Sequence, residues 1–294
     1  MITADLVAAA ASELLGQRVD ASVIFNLSGE SKWRMPTKAG MAFVKTISAA
    51  HDSPFVAEAA GLRQLREAGA VRVPDVWAVG TAANLSLIVI EWLDLARNTD
   101  ASDAMFGKQL AAQHRNTAQR FGWHVDNTLG ASPQPNPWTD TWSEFFREHR
   151  LGHQLTLAAT HVGRSSTHWI DRGRSLCDRM DDLLKGHRPQ PSLLHGDLWS
   201  GNRGTTPDGR PAIFDPAVYF GDREADIAMT RLFGGFGARF YSAYDESWPL
   251  EPGAEIRGNL YNLYHVLNHF NLFGESYAVQ ARAMIDDLLS ELGH

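Results

Sequence analysis

Cysteine is almost absent: Cys177 is the one thiol in 294 residues. An intramolecular disulfide and a cysteine-based zinc site are therefore excluded, which fits a reducing cytoplasm. Basic runs are missing as well. The 27 Lys and Arg are outnumbered by 34 Asp and Glu, for a formal net charge of −7, and this argues against a dedicated nucleic-acid surface because phosphate-binding domains carry a basic excess. No apolar run approaches the roughly 18 residues that a membrane span requires. The opening MITADLVAAAASELLG has Asp5 and Glu13 but no Lys or Arg before Arg18, so the charged leader of an export signal is lacking. Repeats and low-complexity tracts are not found either. The expectation is a soluble, cytoplasmic protein with no nucleic-acid or membrane partner.

What the chain does have is 44% hydrophobic residues, enough to fill a sizeable core. The N-terminus reads as an amphipathic helix capped by Thr3, with Leu6, Val7, Ala10 and Leu14 on one face. ASVIFNLS and MAFVKTI read as strands on either side of a polar break, GESKWRMPTKAG. A helix over 51–70 follows, with Asp52 or Ser53 as cap, Pro54 in its first turn and Gly69 closing it. Two further strands, VPDVWAVG and LSLIVIEWL, flank the turn-like TAAN. From about residue 96 the spacing becomes helical over 101–117, 141–161, 167–185, 223–233, 236–247, 254–272 and 276–292, with extended pieces only around 192–195 and 211–215. A mixed sheet followed by a helical half predicts an α+β protein of two lobes, divided as 1–94 and 95–294. Segment 122–140 is the longest stretch without periodicity. Pro133, Pro135 and Pro137 would hold it extended, and loops of that length are often functional.

The densest chemistry is in SLLHGDLWSGN, residues 192–202. Asp197 and Asn202 are followed by Asp215 in IFDPA, behind a short apolar strand. Phosphoryl transfer needs a carboxylate to orient the attacking hydroxyl, plus an amide oxygen and a second carboxylate to hold magnesium on the nucleotide phosphates. The protein-kinase signature places those roles in the same order. Here Gly196 replaces its arginine, and Pro216–Ala217 replace Phe–Gly. His195 reads as a buried prop for the loop, since no second histidine cluster with zinc-ligand spacing accompanies it. A phosphate-reaching lysine is offered by AFVK as Lys45. On the following helix Glu58 shares a face with Phe55, Leu62 and Leu65, and a carboxylate there needs a cation, which makes Lys45 its expected partner. The strand ending at Glu91, Trp92 and Leu93 runs into the interlobe link, where backbone groups would meet adenine. NLSGES, at the place of a phosphate-covering loop, contains only Gly29.

The match extends further. LLHGDLWSGN (193–202), IFDPAVYFGDREADIAM (213–229), PQPNPWTDTWSEFFREHRLGHQL (133–155), FVAEAAGLRQL (55–65), RVPDVWAVG (72–80) and NHFNLFGESY (268–277) resemble the fructosamine kinase (ketosamine-3-kinase) family. HGDxxxxN alone fits aminoglycoside phosphotransferases and choline kinases equally well; Trp199 and the DPAxYxGDRExD string are more specific. The resemblance implies the protein-kinase-like fold, ATP with Mg2+, and the 3-hydroxyl of a ketosamine as acceptor, whose phosphorylated form falls apart and frees the amine. It implies Asp197 as proton acceptor, Asn202 and Asp215 as magnesium ligands, Lys45 and Glu58 as the lysine–glutamate pair, Glu91–Leu93 as the nucleotide-contacting link, and Asp226 as the buried acid that ties down the catalytic loop. Trp199 reads equally as a stacking surface for a sugar and as packing for the loop. Asp222 and Arg223 read as a local surface pair. The acceptor is either a small ketosamine or a glycated protein. The alternatives are a kinase for another small hydroxylated amine and a pseudokinase. One core accounts for the amphipathic helices, which leaves the oligomeric state open and a monomer the simpler expectation.

Overall fold

The computed structural model describes residues 1–29, 31–49, 53–161 and 168–293. Its N-terminal part is an antiparallel five-stranded sheet made of β1 (Phe25–Ser28), β2 (Lys32–Thr37), β3 (Gly40–Ser48), β4 (Val76–Ala82) and β5 (Leu85–Glu91), in the order β1-β2-β3-β5-β4. β5 is apolar without a break from Leu87 to Ile90 because both its faces are covered. Leu87 and Val89 point into the cluster under α1 (Ala4–Leu15), while Ile88 and Ile90 point into the main core with α2 (Pro54–Ala68). Ala83 and Asn84 both adopt positive φ, 47° and 62°, as a tight two-residue hairpin between β4 and β5 requires.

The expected polar break GESKWRMPTKAG contains β2. Trp33 and Met35 are buried beneath α1, and the charged Lys32 and Arg34 that gave the stretch its polar look alternate with them. Pro36 is tolerated because β1 pairs with β2 only as far as Arg34. In α1, Thr3 accepts from the Leu6 amide and Gly16 closes the helix at φ 62°. Its buried face is Val7, Ala8, Ala10 and Ala11, and Leu6 is 39% exposed, contrary to expectation. The alanines let the helix lie close to the sheet. Ser53 and Gly69 bound α2 as expected, while Asp52 lies outside the described residues.

The remainder is mostly helical: α3 (Asp100–His114), α4 (Trp142–Phe146), α5 (Gly152–His161), α6 (His168–Asp178), α7 (Met180–Leu183), α8 (Arg223–Leu232), α9 (Ala238–Ser247), α10 (Ala254–Phe273) and α11 (Ala278–Glu291). Three short antiparallel pairs lie among them: β6 (Asn127–Leu129) with β7 (Ser132–Gln134), β8 (Ser192–Leu194) with β11 (Tyr219–Gly221), and β9 (Arg203–Thr205) with β10 (Pro211–Ile213). β6, β7, β9 and β11 escape a periodicity reading because three residues carry no measurable period. One continuous core joins Phe55, Leu62 and Leu65 of α2 to Phe106, Trp142 and Leu288 in the helical part. No described helix is long and apolar enough to cross a membrane. Cys177 is buried, and burial pushes its thiol up to about 12, far from reactive thiolate.

Segment 122–140 folds onto the protein as a hairpin, and Pro133 lies in its extended strand β7. Phe121 pairs with Thr139 at its base, Gly122 exchanges backbone hydrogen bonds with Phe220, and β6 and β7 make a hairpin closed by Gly130 at φ 62°.

Candidate active site

β8, paired with β11, leads directly into His195, Gly196 and Asp197. Gly196 has φ 81°, and a Cβ there would stand 2.0 Å from the Ala217 carbonyl oxygen, so no side chain fits where the kinase signature has arginine. Asp226, on α8, accepts the His195 amide at 2.8 Å and the Gly196 amide at 2.9 Å. Burial raises its pKa, but the bond with His114 Nε2 at 3.1 Å and the loop amides outweigh that and hold it below the usual carboxylate range. His114 in turn meets the Tyr244 hydroxyl at 2.8 Å. His195 is fully buried, and burial lowers its pKa, so the ring is neutral. Its partners fix the tautomer: Nε2–H donates to the Phe214 carbonyl at 3.0 Å, and Nδ1 accepts from the Asp197 amide at 3.3 Å. The histidine thus ties the loop of Asp197 to the residue before Asp215.

Asp197, Asn202 and Asp215 come together. Asn202 donates through Nδ2 to the Asp197 carbonyl at 2.9 Å, to Asp197 Oδ2 at 3.0 Å and, longer, to the Asp215 carbonyl at 3.4 Å. Its amide oxygen is the end left to act as an acceptor. Burial drives the Asp197 carboxyl up to about 7; the Asn202 bond opposes this, and Asp215 and Asp226 add to it. Asp215 has φ 57° although it precedes a proline, a strained combination for a residue with a side chain. From β3, Lys45 Nζ reaches Glu58 Oε1 at 2.8 Å and Asp215 Oδ1 at 2.6 Å. Burial opposes the lysine's charge, but Glu58 and Asp215 together raise its pKa, so it is a firm ammonium. Burial also raises the Glu58 carboxyl, with Lys45 pulling it back down.

Two clefts flank the loop 197–202. One, of about 600 Å³, is lined by Phe43, Ile90, Glu91, Trp92, Leu93, Phe214 and Asp215. In it the Glu91 and Trp92 amides are taken by the carbonyls of Asp75 and Met41, while the Leu93 amide has no partner among the described residues. The Glu91 side chain pairs with Arg72, and the Trp92 indole donates to Asp94 Oδ1 at 2.9 Å. The other cleft, of about 420 Å³, is lined by Asp197, Trp199, Phe233, Asn268, His269, Phe273 and Tyr277. Trp199 packs the loop and also lines this cleft. Its ring lies where a Cβ on Gly201 would stand, 2.2 Å away, so it packs the loop, and it is 39% exposed along the cleft wall.

Asp222 and Arg223 are not a surface pair. Asp222 is buried, caps α8 by accepting from the Glu224 amide at 3.0 Å, and receives His187 Nε2 and the Tyr261 hydroxyl, each at 2.6 Å. Arg223 lies over the Trp248 ring at 4.2 Å and donates to the Trp248 carbonyl at 3.0 Å. Their partners are remote in sequence, which adjacency could not reveal. The structure adds His114 and Tyr244 behind Asp226, and Asn127 and Gln134 behind the residues after Asp215. The amide-rich run of segment 122–140 was the available signal for the second pair. Gly29 takes φ 55° in the turn after β1, and Glu30 beside it lies outside the described residues.

The fructosamine kinase family model matches residues 5–291. A probable ketoamine kinase of Synechocystis is 47% identical over 248 residues, 84% of this chain and 82% of the relative. A chloroplastic protein-ribulosamine 3-kinase of Oryza sativa subsp. indica is 42% identical over 259 residues, 87% of this chain and 75% of the relative. The crystal structure of a putative fructosamine-3-kinase from Thermobifida fusca superposes with a TM-score of 0.86 at 33% identity, covering 97% of this chain and 98% of the other. The protein-kinase-like fold is shared with aminoglycoside phosphotransferases at low identity.

Proposed function

Because the chain belongs to the fructosamine kinase family, we propose that it moves the γ-phosphoryl group of ATP onto the 3-hydroxyl of a ketosamine, with Asp197 as proton acceptor. The observation that carries this reading is the meeting of Lys45, Asp215, Asn202 and Asp197 between two clefts, one for the donor and one for the acceptor. Asp197 lines the acceptor side, where its carboxylate orients the hydroxyl and takes its proton. Lys45, held by Glu58, faces the donor phosphates. Glu91 and Leu93 offer backbone groups to adenine over the Phe214 floor. Most of the rate comes from positioning and charge, with no covalent phosphoenzyme.

The donor set suits a hard divalent cation, for which we propose Mg2+: a carboxylate on Asp215 and an amide oxygen on Asn202, with no sulfur or imidazole between them. When bound there, the ion neutralises phosphate charge. Residues 1–94 would then form the nucleotide-binding lobe and 95–294 the catalytic one. In the product, loss of a C1 proton gives the 1,2-enaminol, from which the C3 phosphate leaves as its C–O bond breaks, and water then hydrolyses the resulting C1 imine and frees the amine. The buried thiol of Cys177 is compatible with a reducing cytoplasm.

The acceptor cleft is aromatic, with Asp197 as its carboxylate and neither Lys nor Arg in its lining among the described residues, which suits an acceptor carrying a positive amine. Aminoglycosides share that property. ADP release is therefore to be compared for fructosyl-lysine, ribulosyl-lysine and kanamycin. Turnover is expected with one or both ketosamines, and kanamycin at background. Kanamycin turnover with both ketosamines at background would replace the acceptor, and silence with all three would favour a pseudokinase.

A further inference from the structure

Segment 122–140 is longer than a connection needs to be, and its amide side chains end inside the protein. Asn127, Gln134 and Asn136 are buried. Asn127 donates through Nδ2 to the Val218 carbonyl at 2.8 Å, and Gln134 through Nε2 to the Ala217 carbonyl at 3.1 Å. The two are joined by a 2.7 Å bond from Gln134 Nε2 to Asn127 Oδ1. Behind them, Tyr264 donates its hydroxyl to Gln134 Oε1 at 2.6 Å, and Asn136 donates to Asn127 Oδ1 at 3.0 Å. Arg150, fully buried, holds Asn136 Oδ1 at 2.6 Å and lies over the Tyr219 ring at 4.0 Å. Its hydrogen bonds go to carbonyl and amide oxygens rather than to carboxylates. Burying so many polar groups, a cation included, costs desolvation that an apolar plug would not.

What these amides hold explains the cost. Ala217 and Val218 directly follow Asp215 and Pro216. The Ala217 amide donates to the His195 carbonyl at 2.9 Å, and its own carbonyl lies against Gly196. The Val218 side chain lies 3.0 Å from where a Cβ on Gly61 would stand, on the helix that carries Glu58. Asp215, at positive φ before a proline, keeps its conformation only where neighbours enforce it.

We propose that Asn127 and Gln134 are positioning residues for the transfer reaction: by holding the carbonyls of Val218 and Ala217 they fix the backbone course that presents Asp215 to the metal–nucleotide complex. This rests on Asp215 being a metal ligand. Calorimetric titration of ADP into the intact protein, once in EDTA and once in saturating magnesium chloride, tests it. In Asn127→Ala the metal-free affinity stays within about twofold, while the tightening by magnesium falls about tenfold. Thr128→Ala, on the same strand but outside the clamp, keeps both values. Tyr264→Phe removes only the hydroxyl behind Gln134, with an expected loss of about threefold, and decides the matter if Asn127→Ala does not fold. A folded Asn127→Ala, or failing that a folded Tyr264→Phe, with the unmodified protein's magnesium effect overturns the proposal. If magnesium does not tighten ADP binding in the unmodified protein, the metal-ligand reading falls and the clamp with it.

Discussion

Asp197→Asn lowers turnover by about a thousandfold and leaves nucleotide affinity within about twofold, because the base acts on the acceptor hydroxyl and not on the donor. The substitution is close to isosteric. Asn202 Nδ2 now donates to Asp197 Oδ2 at 3.0 Å, and an asparagine oxygen accepts in the same place, so the loop keeps its bonds to Asp226 and Phe214. What is lost is the capacity to take a proton. The pH dependence carries the same assignment. The Asp197 carboxyl is raised to about 7, first by burial, and only its ionised form accepts a proton. In the unmodified protein kcat/KM therefore rises as pH is raised towards 7 and levels above it. In Asp197→Asn that arm is flat. Stopped assays from pH 5.5 to 8.5, estimated to bracket the transition, distinguish the outcomes. A variant with unmodified turnover, or one that keeps the acidic arm, would remove Asp197 from the base role.

Lys45→Met is expected to cut kcat/KM for ATP by about 10²- to 10³-fold, and Glu58→Gln by about tenfold. Lys45 sits between two carboxylates, Glu58 at 2.8 Å and Asp215 at 2.6 Å. Deleting the ammonium removes the phosphate contact itself; neutralising Glu58 leaves the ammonium but frees it to lean on Asp215. The double variant loses little more than Lys45→Met alone, since Glu58 acts through the lysine. Stability should report the same pair. The Glu58 carboxyl is raised by burial and drawn back by Lys45. Without Lys45 it rises further, so the folded variant holds a proton that the unfolded chain releases. Glu58's contribution to the stability of Lys45→Met is then fully present below the ordinary carboxylate range and is lost as pH rises through the folded value. Equal effects of the two single substitutions, or a melting-temperature gap between Lys45→Met and the unmodified protein that does not widen as pH rises, would contradict the pairing.

The site was more legible in the sequence than the supports around it. His195, Asp197 and Asn202 lie within one loop, and Asp215 follows a short strand, so local spacing carried the chemistry. Lys45 and Glu58 were readable because a carboxylate on an otherwise apolar helix face demands a cation. The Asp226 brace was reached through the family resemblance, not through spacing. His187 and Tyr261 on Asp222, and Trp248 on Arg223, are contacts made across the helical part, and nothing local announces them. β2 was hidden for a different reason: Lys32 and Arg34 dominate a polarity reading although Trp33 and Met35 face the core between and beside them. The hairpin of β6 and β7 is too short to show a period, yet it carries Asn127 and Gln134, which hold the loop after Asp215.

Crystals grown with AMP-PNP and Mn2+, read by anomalous scattering, locate the cation directly. The expected peak lies within coordination distance, about 2.1 Å, of the Asn202 amide oxygen and an Asp215 carboxylate oxygen, with Lys45 facing the phosphates. Among the described residues a competing set of metal-capable groups exists at His187, Asp222 and Glu224. Manganese there, with none between Asn202 and Asp215 in a nucleotide-bound crystal, would contradict the assignment of the site.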